Sequence, residues 1–272
     1  MDENKSSGIL RVVGFALVLL GIILMQEIST TVTAAMELEM RALISTAVFF
    51  GSFLIMYLAV FCFLKLENRS DITELGIRVD DNTISHLIVG AIAGIASALV
   101  VYTVAIVYGG TLTPIESIDA DLIINEIIIA TPTAFFEELC YRGYLMTRME
   151  QISNRGFAII ASSFWFGLLH FGWWVPLGEV PLHLILIFTF NMTLGGIILG
   201  LSYYMSGKKL WVAIAFHFAW NMFTYVMFPV YPRETVLLPE IFQIEWGLVT
   251  IPAFIFGLSL IWLLLDIFKK RE

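Results

Sequence analysis

The chain has 272 residues, 59% of them hydrophobic and only 14% charged, with a mean hydropathy of +0.88. That composition excludes an ordinary soluble domain and points to an integral membrane protein. The net charge of −8 comes with no basic patch beyond the flanks of apolar runs, so no nucleic-acid partner is expected.

A spanning helix needs about 20 mostly apolar residues. On that template the chain offers eight candidates, at roughly 10–27, 42–64, 86–108, 121–147, 156–174, 182–204, 210–228 and 246–268. The first, VVGFALVLLGIILM, is long enough to span and is followed by no small-residue cleavage pattern, so it is expected to stay as an anchor. Between the second and third spans, LENRSDITELGIRVDDNTIS is the one long polar connection, expected as a cytoplasmic loop with an interfacial piece. The fourth and seventh spans are impure in polar residues. His86 and His183 fall at span starts and read as interface residues, and Trp173, Trp174, Trp211 and Trp246 suit an aromatic belt. Neither an internal repeat nor a second domain is visible. The expected fold is all-α, one transmembrane domain over 1–272, with about eight helices around a polar interior cavity.

Charge asymmetry supports this count. With eight spans and the N-terminus inside, twelve basic residues fall on the cytoplasmic side, from Lys5 and Arg11 to Lys208, Lys209 and the C-terminal cluster. Only Arg41 and Arg233 fall outside, as the positive-inside rule demands, and both termini are expected in the cytoplasm. The one basic residue left over is Arg142, within the fourth span.

Ionisable residues inside spans are costly and mark function by default. Here they are Glu137, Glu138 and Arg142 in FFEELCYRGYL, His170 ending FWFGLLH, and His217 with Asn221 in FHFAWN. At about 1.5 Å of rise per residue, Glu137 lies roughly 17 Å from Arg148 and His170 roughly 22 Å from Arg155. Asn221 and His217 lie roughly 18 Å and 12 Å from Lys209 by the same rise. Three spans can therefore bring their polar groups to similar depth in one cavity. Glu138 and Arg142 are four apart and share a face, where they can neutralise each other. Glu137 is turned about 100° away and lacks that partner. Pro132, one turn earlier, frees a backbone carbonyl beside it.

A carboxylate base, a second imidazole and two hydrogen-bond donors meet the needs of peptide hydrolysis. Glu137, helped by His170, would take a proton from the attacking water, and His217 with Asn221 would donate to the developing oxyanion. Each feature alone also fits a structural role, since a membrane histidine or an HxxxN pair can be a helix–helix clasp. The conjunction on three spans favours a site. Cys140 is three residues from Glu137 and could be a nucleophile, but a thiol in hydrocarbon is inert unless a cation sits against it. Two histidines and a glutamate could also hold zinc with a position open to water. The absence of HExxH and the need for ligands from three helices weigh against it, so no cofactor is expected, with zinc as the alternative. A non-enzymatic transporter using these residues as a proton relay is the competing class, although no repeated halves or paired broken helices are visible.

The ordered set EELCYR (Glu137 to Arg142, EExxxR), FGLLH (Phe166 to His170, FxxxH) and HFAWN (His217 to Asn221, HxxxN) resembles the CAAX protease and bacteriocin-processing family, also called Abi, of multi-pass intramembrane proteases. The resemblance covers roughly residues 60 to 230, with its motif core at 135–221. It implies a type II CAAX prenyl endopeptidase-like enzyme that removes the last three residues of a prenylated C-terminal peptide. It further implies Glu137 as catalytic glutamate, His170 as its partner in activating water, His217 and Asn221 as the oxyanion pair, and Glu138 with Arg142 as the supporting pair. The family also includes proteins of bacteriocin immunity and maturation.

Overall fold

The computed structural model describes residues 3–174 and 180–269. The side chains of Trp173 and Trp174, expected in an aromatic belt, lie outside the described residues, as do Glu179, Lys270 and Arg271. Among the described residues the fold is all-α, without strands. Its helices in chain order are α1 (Glu3–Thr33), α2 (Leu38–Leu66), α3 (Thr83–Tyr108), α4 (Ala120–Glu138), α5 (Thr147–Ile152), α6 (Arg155–Trp174), α7 (Leu182–Met205), α8 (Trp211–Met227), α9 (Pro239–Phe242) and α10 (Thr250–Lys269).

Five of these, α1, α2, α3, α7 and α10, are long and apolar enough to cross a membrane. The other segments expected to span, built on α4, α6 and α8, fall short of that mark, and they are the ones that carry Glu137, His170 and His217. α8 is only 17 residues long, and α4 carries the carboxylates Asp121, Glu126, Glu137 and Glu138. α4 runs through Pro132 unbroken and then continues as a π-helical stretch, Leu139–Met146, before α5. Such π turns occur rarely and concentrate at functional sites.

The loops sort to two ends. At one end Arg148 pairs with Glu67 at 2.8 Å, Trp211 Nε1 donates to the Arg78 carbonyl at 3.1 Å, and Leu210 N–H donates to the Gly76 carbonyl at 2.9 Å. Lys209 pairs there with Asp80 and, by that hydrogen bond, holds its carboxyl below the usual carboxylate range. At the other end Thr113 N–H donates to the Met227 carbonyl at 3.0 Å, Leu237 N–H to Thr111 Oγ1 at 2.8 Å, and Gln243 Nε2 to the Pro229 carbonyl at 2.7 Å.

Two apolar clusters hold the helices together. Phe15, Leu19, Val60, Leu64, Leu139, Tyr144 and Leu145 form one between α1, α2 and the π stretch. Val89, Val101, Phe216, Trp220, Phe254 and Ile261 form the other between α3, α8 and α10. α8 can press this close to α3 because Gly90 and Gly94 face it. A Cβ on Gly90 would lie 2.8 Å from the Ala215 Cβ, and one on Gly94 2.6 Å from the Phe216 carbonyl oxygen. These two glycines set the position of His217, which sits on the same turn of α8. Two interface expectations are corrected. His86 is buried in the first turn of α3, and Trp246 is buried, stacked on Phe188 at 4.3 Å, because the chain before α10 folds inward.

Candidate active site

Glu137 lies in the last turn of α4 and is buried. Its Oε2 lies 3.9 Å from His170 Nε2 on α6 and 3.8 Å from His217 Nε2 on α8. Those distances exceed a direct hydrogen bond, and Oε2 makes none within the protein among the described residues. One carboxylate oxygen thus faces two imidazole nitrogens from two other helices.

The far side of each ring fixes its tautomer. His170 Nδ1 lies 2.8 Å from the Phe166 carbonyl oxygen. A carbonyl only accepts, so Nδ1 carries the hydrogen and Nε2 of the neutral ring presents a lone pair to Glu137. His217 Nδ1 lies 3.0 Å from Glu138 Oε1, a carboxylate that holds the Nδ1 hydrogen in the same way. Arg142 Nη1 donates to that same Glu138 oxygen at 2.8 Å. Glu138 therefore does more than neutralise Arg142, because it also orients His217. The adjacent carboxylates take separate tasks: Glu138 faces the supporting cation and ring, and Glu137 faces the cavity.

Phe166 accounts for the first letter of FxxxH. Its ring packs 4.1 Å from that of His170, 6.2 Å from that of His217 and 4.9 Å from that of Tyr141, with the Arg142 guanidinium 4.3 Å above it. A cation over an aromatic face in a desolvated site is stabilised by the ring quadrupole. Phe166 thus joins the cation to both imidazoles. On α7, Gly196 leaves space for the guanidinium, since a Cβ there would lie 3.0 Å from Arg142 Nη2. Cys140 Sγ lies 3.9 Å from the Met56 carbonyl oxygen, toward α2, which fits a packing role.

All three elements open on one cavity of about 550 Å³, within the size range of small-molecule and peptide sites. Its lining includes Glu137, Phe166, His170, His217 and Asn221. Phe49, Phe50 and Phe53 of α2 form one wall and Ile129 of α4 lies beside it, with Phe50 and Ile129 41% and 40% exposed. The expected residues Glu137, His170, His217 and Asn221 are brought together, and Glu138 with Arg142 lies directly behind them.

Glu245 is a cavity residue that no pattern in the sequence marks. Its Oε1 accepts from Trp220 Nε1 at 3.1 Å, and its backbone sits at φ +67. Asn191 Nδ2 donates to the carbonyls of Glu245 and Gly247 at 2.8 and 3.0 Å, pinning this strained turn. A polar amide on the opposite helix, Asn191, is the only trace of it in the sequence.

Comparison with family models gives a match over residues 120–223, to a family described as type II CAAX prenyl endopeptidase Rce1-like. Over that segment the chain is similar to this family. The match runs from the start of α4 into α8 and contains all the motif residues named above. It agrees with the resemblance carried by EExxxR, FxxxH and HxxxN. Comparison with curated proteins gives no match. The apolar helices, together with the segment similar to that membrane-protease family, mark this as an integral membrane protein.

Among the described residues, no group of three or more His, Cys, Asp or Glu has the arrangement to hold a metal ion.

Proposed function

We propose that the protein is an intramembrane endopeptidase that hydrolyses a peptide bond near the C-terminus of a lipid-anchored substrate, prenylated CAAX peptides being the class its family description names. The observation that carries this reading is the approach of Glu137 Oε2 to two histidine nitrogens, at 3.8 and 3.9 Å, beside a cavity lined on one side by Phe49, Phe50 and Phe53. Glu137 accepts a proton from water as its oxygen attacks the scissile carbonyl, while the lone pair on His170 Nε2 orients that water. Asn221 Nδ2 and His217 Nε2 donate to the oxyanion, the latter when the ring carries both hydrogens and Glu138 balances its charge. Glu137 then returns the proton to the leaving amide nitrogen as the C–N bond breaks. The lipid packs against the aromatic wall of α2, Phe49, Phe50 and Phe53, and the peptide lies across the site. The test is cleavage by purified protein of a panel of farnesylated, unprenylated and bacteriocin-leader peptides. A wild-type protein that cuts none of them contradicts the reading.

Asn221→Ala is expected to lower kcat about 10²–10³-fold, the usual effect of removing one oxyanion donor, with KM nearly unchanged. Steady-state kinetics on the best substrate of the panel checks this, and a rise in KM alone would make Asn221 a binding residue.

No metal or thiol takes part in this mechanism. Cleavage is expected to persist after dialysis against a strong chelator and in Cys140→Ser. Loss in the chelator that zinc restores would establish the zinc-dependent alternative, and loss in Cys140→Ser would establish a thiol nucleophile.

A further inference from the structure

The turn before α10 holds one side chain in the cavity. Glu245 stands at φ +67, a left-handed backbone that a residue other than glycine keeps only where its surroundings impose it. Here they impose it through the main chain. The Glu245 N–H donates to Thr250 Oγ1 at 3.0 Å, and its carbonyl accepts from Asn191 Nδ2 at 2.8 Å. Asn191 also binds the Gly247 carbonyl, and Gly247 packs so closely that a Cβ there would lie 2.3 Å from the Ile241 carbonyl oxygen. None of these contacts uses the Glu245 carboxylate, so the turn needs no charge at this position. A carboxylate held inside a protein is costly unless a partner compensates it.

Among the described residues that carboxylate makes one hydrogen bond, Oε1 accepting from Trp220 Nε1 at 3.1 Å, and it lines the same cavity as Glu137. Trp220 is three residues beyond His217, about 4.5 Å of helix rise, and Asn221 follows it. The wall around Glu245 is aromatic: Phe216, Trp220 and Phe254 line the cavity, with the Trp220 and Phe254 rings 4.4 Å apart. A carboxylate set among aromatic faces attracts a cation by its charge and by the ring quadrupoles together. The carboxylates lining the cavity, Glu126, Glu137 and Glu245, also outnumber Arg233, the arginine among its lining residues. We propose that Glu245 sets substrate specificity by binding a basic side chain of the peptide, one to three residues from the scissile bond. An extended chain spans roughly 3.3–3.6 Å per residue, so that range covers the offset of Trp220 from the oxyanion pair. The lipid packs on a different wall, Phe49, Phe50 and Phe53 of α2, so lipid and basic side chain are held at once. Glu245 lies beyond the matched segment, residues 120–223, which makes it a feature of this chain rather than of that segment. The inference rests on the proteolytic reading and names a substrate feature that the reading leaves open.

The test uses the purified full chain in detergent and matched farnesylated peptides that carry Lys, Met or Glu at one position. That position is walked across three residues on each side of the scissile bond. At one position the Lys peptide is expected to be cut with kcat/KM about 10–100-fold above the Met peptide, the usual worth of a hydrogen bond to a charged group, with the difference lying in KM. Glu245→Gln keeps an acceptor for Trp220, so it is expected to unfold at the wild-type temperature and to lose the preference for Lys over Met. Glu245→Lys is expected to turn the preference toward the Glu peptide. A preference for Lys that survives in both variants, or no preference at any position, overturns the inference. Binding of the same peptides to Glu137→Gln, with and without Glu245→Gln, read by fluorescence anisotropy, gives a measure apart from cleavage. Selective binding by Glu137→Gln alongside a wild type that cuts nothing contradicts the proteolytic reading alone. Cleavage by the wild type with no selectivity in either assay contradicts the role of Glu245 alone.

Discussion

Glu137→Gln is expected to slow peptide cleavage by roughly 10²–10⁴-fold, the range of a positioned general base. The substitution keeps the shape of the side chain and removes only its capacity to accept a proton at Oε2. Folding is expected to be spared, because Oε2 makes no hydrogen bond within the protein whose loss would leave a partner stranded. KM should stay close to the wild-type value, since the carboxylate acts on water rather than on the bound peptide. Single-turnover kinetics on purified variant and wild type measure this directly. Retention of the wild-type rate would remove Glu137 from the chemistry and leave the histidines without a base to serve.

Arg142→Ala is expected to have the largest effect on stability. The guanidinium is 1% exposed, pairs with Glu138 at 2.8 Å and lies 4.3 Å from the Phe166 ring. Removing one partner of a buried pair leaves the other charge uncompensated, which costs about 3–5 kcal/mol. His217 offsets part of that cost through its own bond to Glu138, so the lower end of the range is expected. Arg142→Lys should rescue poorly, because a point charge replaces a planar group that both pairs and stacks. The double variant Glu138→Gln with Arg142→Met removes both charges and is expected to recover much of the lost stability. It should not recover activity, because His217 Nδ1 then loses the carboxylate that orients it. Thermal unfolding in detergent together with the cleavage assay separates the two effects. Activity returning with stability would show that Glu138 serves packing alone.

How far the site was legible in the sequence follows from where its information lies. Glu137, His170, His217 and Asn221 were conspicuous because ionisable and amide groups are rare in apolar runs, and helical rise alone put them at one depth. The Glu138–Arg142 pair was equally visible, because four residues separate neighbours on a helix face. What spacing cannot carry is contact between helices. The bond from His217 to Glu138 joins residues 79 apart, and nothing local distinguishes it from a clasp elsewhere in the bundle. The role of Phe166 was hidden for the same reason, since a phenylalanine in a membrane span looks like filler until a cation is found over its ring.

The π stretch and Glu245 were hidden by a different cause. Leu139–Met146 reads as ordinary helix, because the residues that favour a π turn are the same ones that favour an α turn. Glu245 sits just ahead of an apolar run that looked like a span from residue 246, whereas α10 begins at Thr250 and the preceding turn folds a carboxylate into the cavity. Apolar composition cannot tell a span from a buried return of the chain. Among the described residues, five of the eight expected spans have the length and apolarity to cross a membrane, while α8 is only 17 residues long and α4 carries four carboxylates.

The claim on which the mechanism turns is that Glu137 and His170 act as a unit on one water molecule. A double-variant cycle of kcat for Glu137→Gln, His170→Ala and their combination tests it most directly. Residues that work together lose little more when both are gone than when one is, so the combined variant is expected to be about as slow as the slower single. Losses that multiply in the combined variant, or either single variant at wild-type rate, would contradict it.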